Sequence, residues 1–130
     1  MAVVLTAWHW RAESRTVKIT VLPLNGGDAV FVDCPGRLDD LLIDCGNENS
    51  FEFILKPFLR AQGINRLETI LLTHGDLKHI GGLAGVKENF SFQKIVTSPI
   101  ASRSAAYREI IFELKTKPEE LRSVKNLTLW

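Results

Sequence analysis

The sequence is poor in the residue types that would declare a chemistry outright. Its two cysteines, Cys34 and Cys45, lie in separate apolar stretches without a CxxC spacing, so neither a cysteine-held zinc nor a disulfide framework organises the fold. Both read as small buried residues of a reducing compartment, the lesser alternative being that they face each other across adjacent strands. Histidine occurs three times, and none follows His79. Neither charge sign prevails: the formal net charge is +1, which excludes attraction to nucleic acid or anionic lipid by overall field alone. Residues 87–130 carry eight Lys or Arg against five acidic residues, a bias that reads as solvated helix faces. Long apolar runs are also missing. The opening "MAVVLTAWHW" is too short to cross a bilayer and lacks the basic lead and small-residue cleavage site of a signal peptide. Residues 1–14 are therefore an N-terminal extension, the stub of a membrane segment, or a first strand. Trp8, Trp10 and Trp130 sit at chain ends, where aromatics are poor evidence of binding. With no internal repeat, low-complexity stretch or linker, the 130 residues, 45% hydrophobic and 24% charged, form one domain.

The periodicity that is present changes along the chain. "VKITVL" (17–22) alternates as a half-buried strand does, "NGGD" (25–28) supplies a turn, and "AVFVDC" (29–34) and "LLID" (41–44) follow, so three consecutive antiparallel strands open the domain. In "NSFEFILKPFLRAQGI" apolar residues then recur at three and four. Asn49 or Ser50 is the expected cap, Gly63 the expected close, and Pro57 an expected bend. "LETILLTH" reads as a strand buried on both faces, with His74 at its carboxyl end. A short helix near 79–87, a strand over 94–98 and a helix over about 102–115 come next. In the last of these Ala105, Ile110, Phe112 and Leu114 are the expected core residues. The tail from Leu121 is expected to end in one more strand.

The loop that follows His74 concentrates the chemistry. His74, Asp76 and His79 lie where open α/β sheets place ligands, and imidazole nitrogens and a carboxylate oxygen suit zinc and similar divalent ions. On spacing alone, a hydrogen-bonded turn explains the same residues.

The strand order, "GGDA", "LLIDCG", "ILKPFLRAQGI" and "LETILLTHGDLKHIGGL" together resemble the metallo-β-lactamase fold, and within it the domain of ComEC-type competence proteins, which act in DNA uptake. The resemblance runs from about Val17 to Lys115. It implies an α/β architecture, the αββα sandwich, of which this chain holds the N-terminal half. It implies that the family's His-x-Asp-x-Asp-His signature stands here as His74-Gly75-Asp76-Leu77-Lys78-His79. His74 and Asp76 then map to one metal, zinc or another divalent ion, and His79 to a second. Lys78 replaces the aspartate that would hold the second metal, and an ammonium has no lone pair to offer. Asp28 and the turn Ile43-Asp44-Cys45-Gly46 are expected to brace the loop rather than bind metal.

Three readings follow from the resemblance. In the first, the chain belongs to a metal-dependent hydrolase of DNA or another phosphodiester, with Asp76 and Lys78 in the catalytic loop and the missing ligands supplied by a longer parent chain or a partner. In the second, it is a degenerate member whose Lys78 binds phosphate as a point charge. In the third, a structural half-domain satisfies Asp76 through Lys78 or a histidine. The open half-sandwich is expected to self-associate, and membrane attachment is expected only through a longer parent chain in a bacterial cell. Lys87, Lys94, Arg103 and Arg108 follow the loop as candidate DNA contacts, with Phe90, Phe92 and Tyr107 read equally well as core.

Overall fold

The computed structural model describes residues 15–37, 39–98, 102–115 and 121–123. The expectations for residues 1–14 and for Trp130 lie outside them. Among the described residues six strands form one sheet in sequence order: β1 (Lys18–Leu24), β2 (Gly27–Asp33), β3 (Leu41–Ile43), β4 (Arg66–Leu72), β5 (Ser91–Thr97) and β6 (Leu121–Ser123). The first three pair antiparallel, as the sequence predicts, and β3 to β6 pair parallel. β4 therefore has parallel neighbours on both sides.

Helix α1 comprises Glu48–Ser50, a π-helical turn Phe51–Leu55 and Lys56–Ala61. Its cap is Asn47, not Asn49 or Ser50: Asn47 has extended backbone, its side chain accepts from the Ser50 amide at 2.8 Å, and its side-chain amide donates to the Asn25 carbonyl at 3.0 Å. The helix start is thereby tied to the β1–β2 turn. Pro57 sits just past the π turn, in which the Lys56 amide donates to the Phe51 carbonyl. The wider turn is how the helix passes a residue without an amide donor. At the other end Gly63 takes a φ of 72°, and the Ile64 amide closes on the Leu59 carbonyl at 2.9 Å.

The predicted helix near 79–87 is two helices, α2 (Leu77–Ile80) and α3 (Leu83–Asn89), separated at the paired glycines. Helix α4 (Ala105–Lys115) turns Ile110 inward as expected but not Ala105 or Phe112, and the side chain of Leu114 lies outside those described. Tyr107 is buried and Ile110 and Ile111 pack on the core, whereas Ala105 is exposed and Phe112 is 73% exposed. Residues 107, 110 and 111 lie three and four apart on one side, which excludes 112.

The core covers one face of the sheet. Leu22, Phe31, Leu42, Ile70, Leu72 and Ile95 meet the apolar sides of α1, α2 and α3. A bulge keeps Leu67 on that face: the amides of both Glu68 and Thr69 donate to the Asp40 carbonyl, at 3.0 and 3.2 Å. On the opposite face β4 is only half-buried at Thr69 and Leu71, so it is not covered equally on both sides. There the β1 side chains Ile19 and Val21 are 66% and 67% exposed. Phe90 is a core residue, edge-on to Phe51 with the Arg60 guanidinium over its ring, and the half-buried Phe92 packs against the core. No helix among the described residues is long and apolar enough to cross a membrane.

Cys34 is half-buried, Cys45 is fully buried, and neither is in a disulfide. Burial first, then the neighbouring Asp44 carboxylate, pushes the Cys45 thiol far above its ordinary value of 9.0. Above that pH the unfolded chain loses this proton and the folded chain keeps it, so the contribution is full at lower pH and erodes as pH rises. The urea midpoint is expected to fall between about pH 9 and 10.5 more steeply than in Cys45→Ala, as paired unfolding curves across that range would show.

Candidate metal centre

The site is built at the carboxyl ends of β3 and β4, where two parallel strands deliver the chain into loops. Pairing of Ile43 with Leu71 carries Asp44 alongside Thr73. The Asp44 amide donates to the Leu71 carbonyl at 2.8 Å, and Asp44 itself takes a φ of 56°, the left-handed region that aspartate tolerates better than most residues. Its carboxylate is anchored twice by Thr73: the amide donates to Oδ1 at 2.8 Å, and the hydroxyl donates to Oδ2. The Thr73 oxygen also lies 2.8 Å from His74 Nδ1. Since the single hydroxyl proton is given to the ionised carboxylate, His74 Nδ1 is the donor in that contact and its Nε2 carries the free lone pair.

His79 arrives from the other side of the loop. Helix α2 begins after Asp76, whose carbonyl accepts the amides of His79 and Ile80, and the His79 carbonyl accepts the Cys45 amide at 2.7 Å. This places His79 Nδ1 3.3 Å from Asp44 Oδ2, while the two imidazole rings stand 4.9 Å apart. Contact is not bonding here, because His79 Nδ1 is buried without a hydrogen-bond partner. One donor atom each from Asp44, His74 and His79 lies within 4.8 Å of the others. A buried carboxylate oxygen facing an unpartnered imidazole nitrogen fits a divalent cation, which both would ligate.

The structure therefore brings two of the three residues singled out for metal, His74 and His79, close together and leaves the third apart. Asp76 is exposed, its side chain makes no cap bond, and it lies outside the close group. Asp44, expected to brace the loop, is the carboxylate that lies beside the two histidines. A residue introducing a short helix takes extended backbone and here turns its side chain to solvent, whereas Asp44 enters from the next strand. The signal was present in the sequence as an acidic residue at a strand end before Cys-Gly, but its distance to the histidines was not. Lys78 is exposed and makes no ion pair among the described residues, so the Asp76–Lys78 contact of the structural reading does not form. Beside His74 lies a cavity of about 300 Å³ bordered by Asp76, Ser98, Ser102 and Tyr107.

Comparison with known proteins adds the following. A sequence model of the metallo-beta-lactamase superfamily matches residues 22–125. ComE operon protein 3 of Bacillus subtilis (strain 168) is 33% identical over 79 residues, covering 49% of this chain and 10% of that protein. The chain thus spans about a tenth of that relative's length. Among solved structures, a metallo-beta-lactamase from Cronobacter sakazakii altered in its HARLDQ motif is similar with a TM-score of 0.49 and 24% identity, over 61% of this chain and 31% of that one. A diphosphatase of the PhnP family gives a TM-score of 0.46 and 17% identity, over 79% and 39%.

Proposed function

Because this chain belongs to the metallo-beta-lactamase superfamily, we propose that it forms part of a metal-dependent hydrolase domain acting on phosphodiesters, with DNA as the substrate class and zinc as the ion. The observation that carries the reading is the convergence of Asp44, His74 and His79 on a buried nitrogen with no partner. Resemblance to the competence branch, supported by the likeness to ComE operon protein 3, supplies the substrate class.

When bound, such an ion lowers the pKa of a water and polarises the phosphoryl oxygen. The chain's own residues do the rest. Thr73 holds Asp44 through two hydrogen bonds and fixes His74 in the tautomer whose Nε2 is free. Asp76, exposed at the border of the cavity, is an acceptor for a proton leaving the attacking water. Lys78, exposed on α2, offers its ammonium to a phosphate oxygen as a point charge.

The test is hydrolysis of bis(p-nitrophenyl) phosphate by the purified chain with zinc or manganese. Metal-stimulated turnover, reversed by a chelator and reduced at least ~100-fold in His74→Ala, is expected. Firm metal binding without turnover would sink the hydrolase reading. The unpaired Lys78 favours the degenerate, phosphate-binding reading in that event, and salt-sensitive binding of a phosphate-bearing ligand would identify it.

A further inference from the structure

We propose that the face of the sheet turned away from the helices is an interface between two copies of this chain, packed face to face as a two-fold dimer. The proposal goes beyond the proposed function and needs neither metal nor hydrolysis.

Strand register builds the face. Val21, Val30, Ile43, Leu71 and Val96 are successive partners across β1 to β5, so their side chains form one row on the side away from the helices. Two residues along, Ile19, Val32, Leu41, Thr69 and Lys94 form a second row by the same pairings. Between the rows the strands alternate to the core side, where Phe31, Leu42, Ile70 and Ile95 are at most 1% exposed. None of the two rows is buried: Ile19 and Val21 are exposed and the others half-buried. All but Thr69 and Lys94 are aliphatic, and Lys94 is the one charge. Two unbroken aliphatic rows in contact with water hold back solvation free energy that association releases, and contiguous exposure of this kind marks an interaction surface.

The dimensions and the placement of the charge suit a second copy. Five strands about 4.8 Å apart and two rows about 7 Å apart give a patch of roughly 300 Å² measured flat. That is below the roughly 800 Å² per partner of a standard interface, so the dimer is reversible, with a dissociation constant in the micromolar range. A two-fold axis parallel to the strands lays β1 of one copy over β5 of the other and closes the assembly at two. Ile19 then faces the partner's Lys94. The apolar stem of that lysine covers Ile19, and its ammonium reaches water past β1, which ends the sheet among the described residues. The two Lys94 positions stand four strand spacings apart, about 19 Å, well beyond the ~8 Å screening length at physiological salt. An axis across the strands would instead stack β5 on β5 and bring the two ammonium groups together.

Sedimentation equilibrium of the 130-residue chain through the micromolar range tests this. A reversible rise toward twice the 14.6 kDa of one chain is expected. Val21→Lys should weaken association at least ~100-fold, because it sets an unpaired ammonium against the partner's Val96. Val21 is exposed, so the fold of the single chain is retained, as a thermal melt checks. Phe112→Ser, at an exposed apolar residue on the helical side, should change association by less than about threefold. Ile19→Lys should weaken the dimer far more than Ile19→Glu, which gains the partner's Lys94 as an ion pair. A monomer throughout the range would overturn the proposal, whether the face then binds a hydrophobic dye or is covered by residues 1–14. So would a dimer that survives Val21→Lys, or one that Phe112→Ser disperses equally. Greater loss with Ile19→Glu than with Ile19→Lys would overturn the stacking of β1 on β5.

Discussion

Gly27→Ala should lower stability by about 3 kcal/mol and weaken metal binding with it. A Cβ at Gly27 would lie 1.9 Å from the Lys78 carbonyl oxygen, and 2.9 Å from its carbon. Both obstacles are backbone, so no side-chain rotation relieves the clash, and overpacking of this kind costs about 1–3 kcal/mol or more. The two segments that must separate are the start of β2, where Gly27 pairs with Leu24, and α2, which carries His79. Moving α2 strains the bond from the Cys45 amide to the His79 carbonyl and with it the spacing of His79 and Asp44. Urea unfolding and cobalt titration of the same variant should therefore shift together. If stability fell while metal affinity stayed constant, the hairpin would be a scaffold element without influence on the site.

A comparable loss is expected for Phe51→Ala. Phe51 is 2% exposed and opens the π turn of α1. Its ring fills the space over Gly85 so closely that a Cβ there would come within 2.3 Å of it, and it meets Phe90 edge-on with centroids 6.5 Å apart. Truncation removes that apolar area and leaves a cavity between α1 and α3, two elements that rigid helical backbones keep from collapsing. Phe-to-Ala changes of this type cost about 3–5 kcal/mol. Against a typical total of roughly 5–15 kcal/mol, that is a large fraction. Thermal unfolding should show a midpoint at least about 10 °C lower. A fall of less than about 1 kcal/mol would mean that α1 and α3 close over the gap, contrary to the packing described.

The elements that were legible from the sequence are those set by neighbours in the chain. The alternation in β1 and β2, the glycine turn between them, the continuous apolar run of β4 and the Gly63 stop depend on backbone preference and side-chain periodicity over a few residues. The histidine loop was equally legible, because His74 and His79 lie within one short segment at a strand end. What escaped was decided by contacts made elsewhere. Asn47 rather than Asn49 caps α1 because Asn25, 22 positions earlier, accepts from it. Phe112 points outward because Tyr107, Ile110 and Ile111 already define the buried side of α4.

The candidate metal centre divides along the same line. By itself the sequence determined which loop carries the donors and that an ammonium interrupts them, since both are facts of order along the chain. Only the tertiary structure decided that Asp44 joins the histidines and Asp76 does not. The reason is strand register: Ile43 pairs with Leu71, so the next residue of β3 arrives beside Thr73, 29 positions away in sequence. A shift of one residue in that pairing would turn the carboxylate to the opposite face of the sheet, and no local preference fixes it.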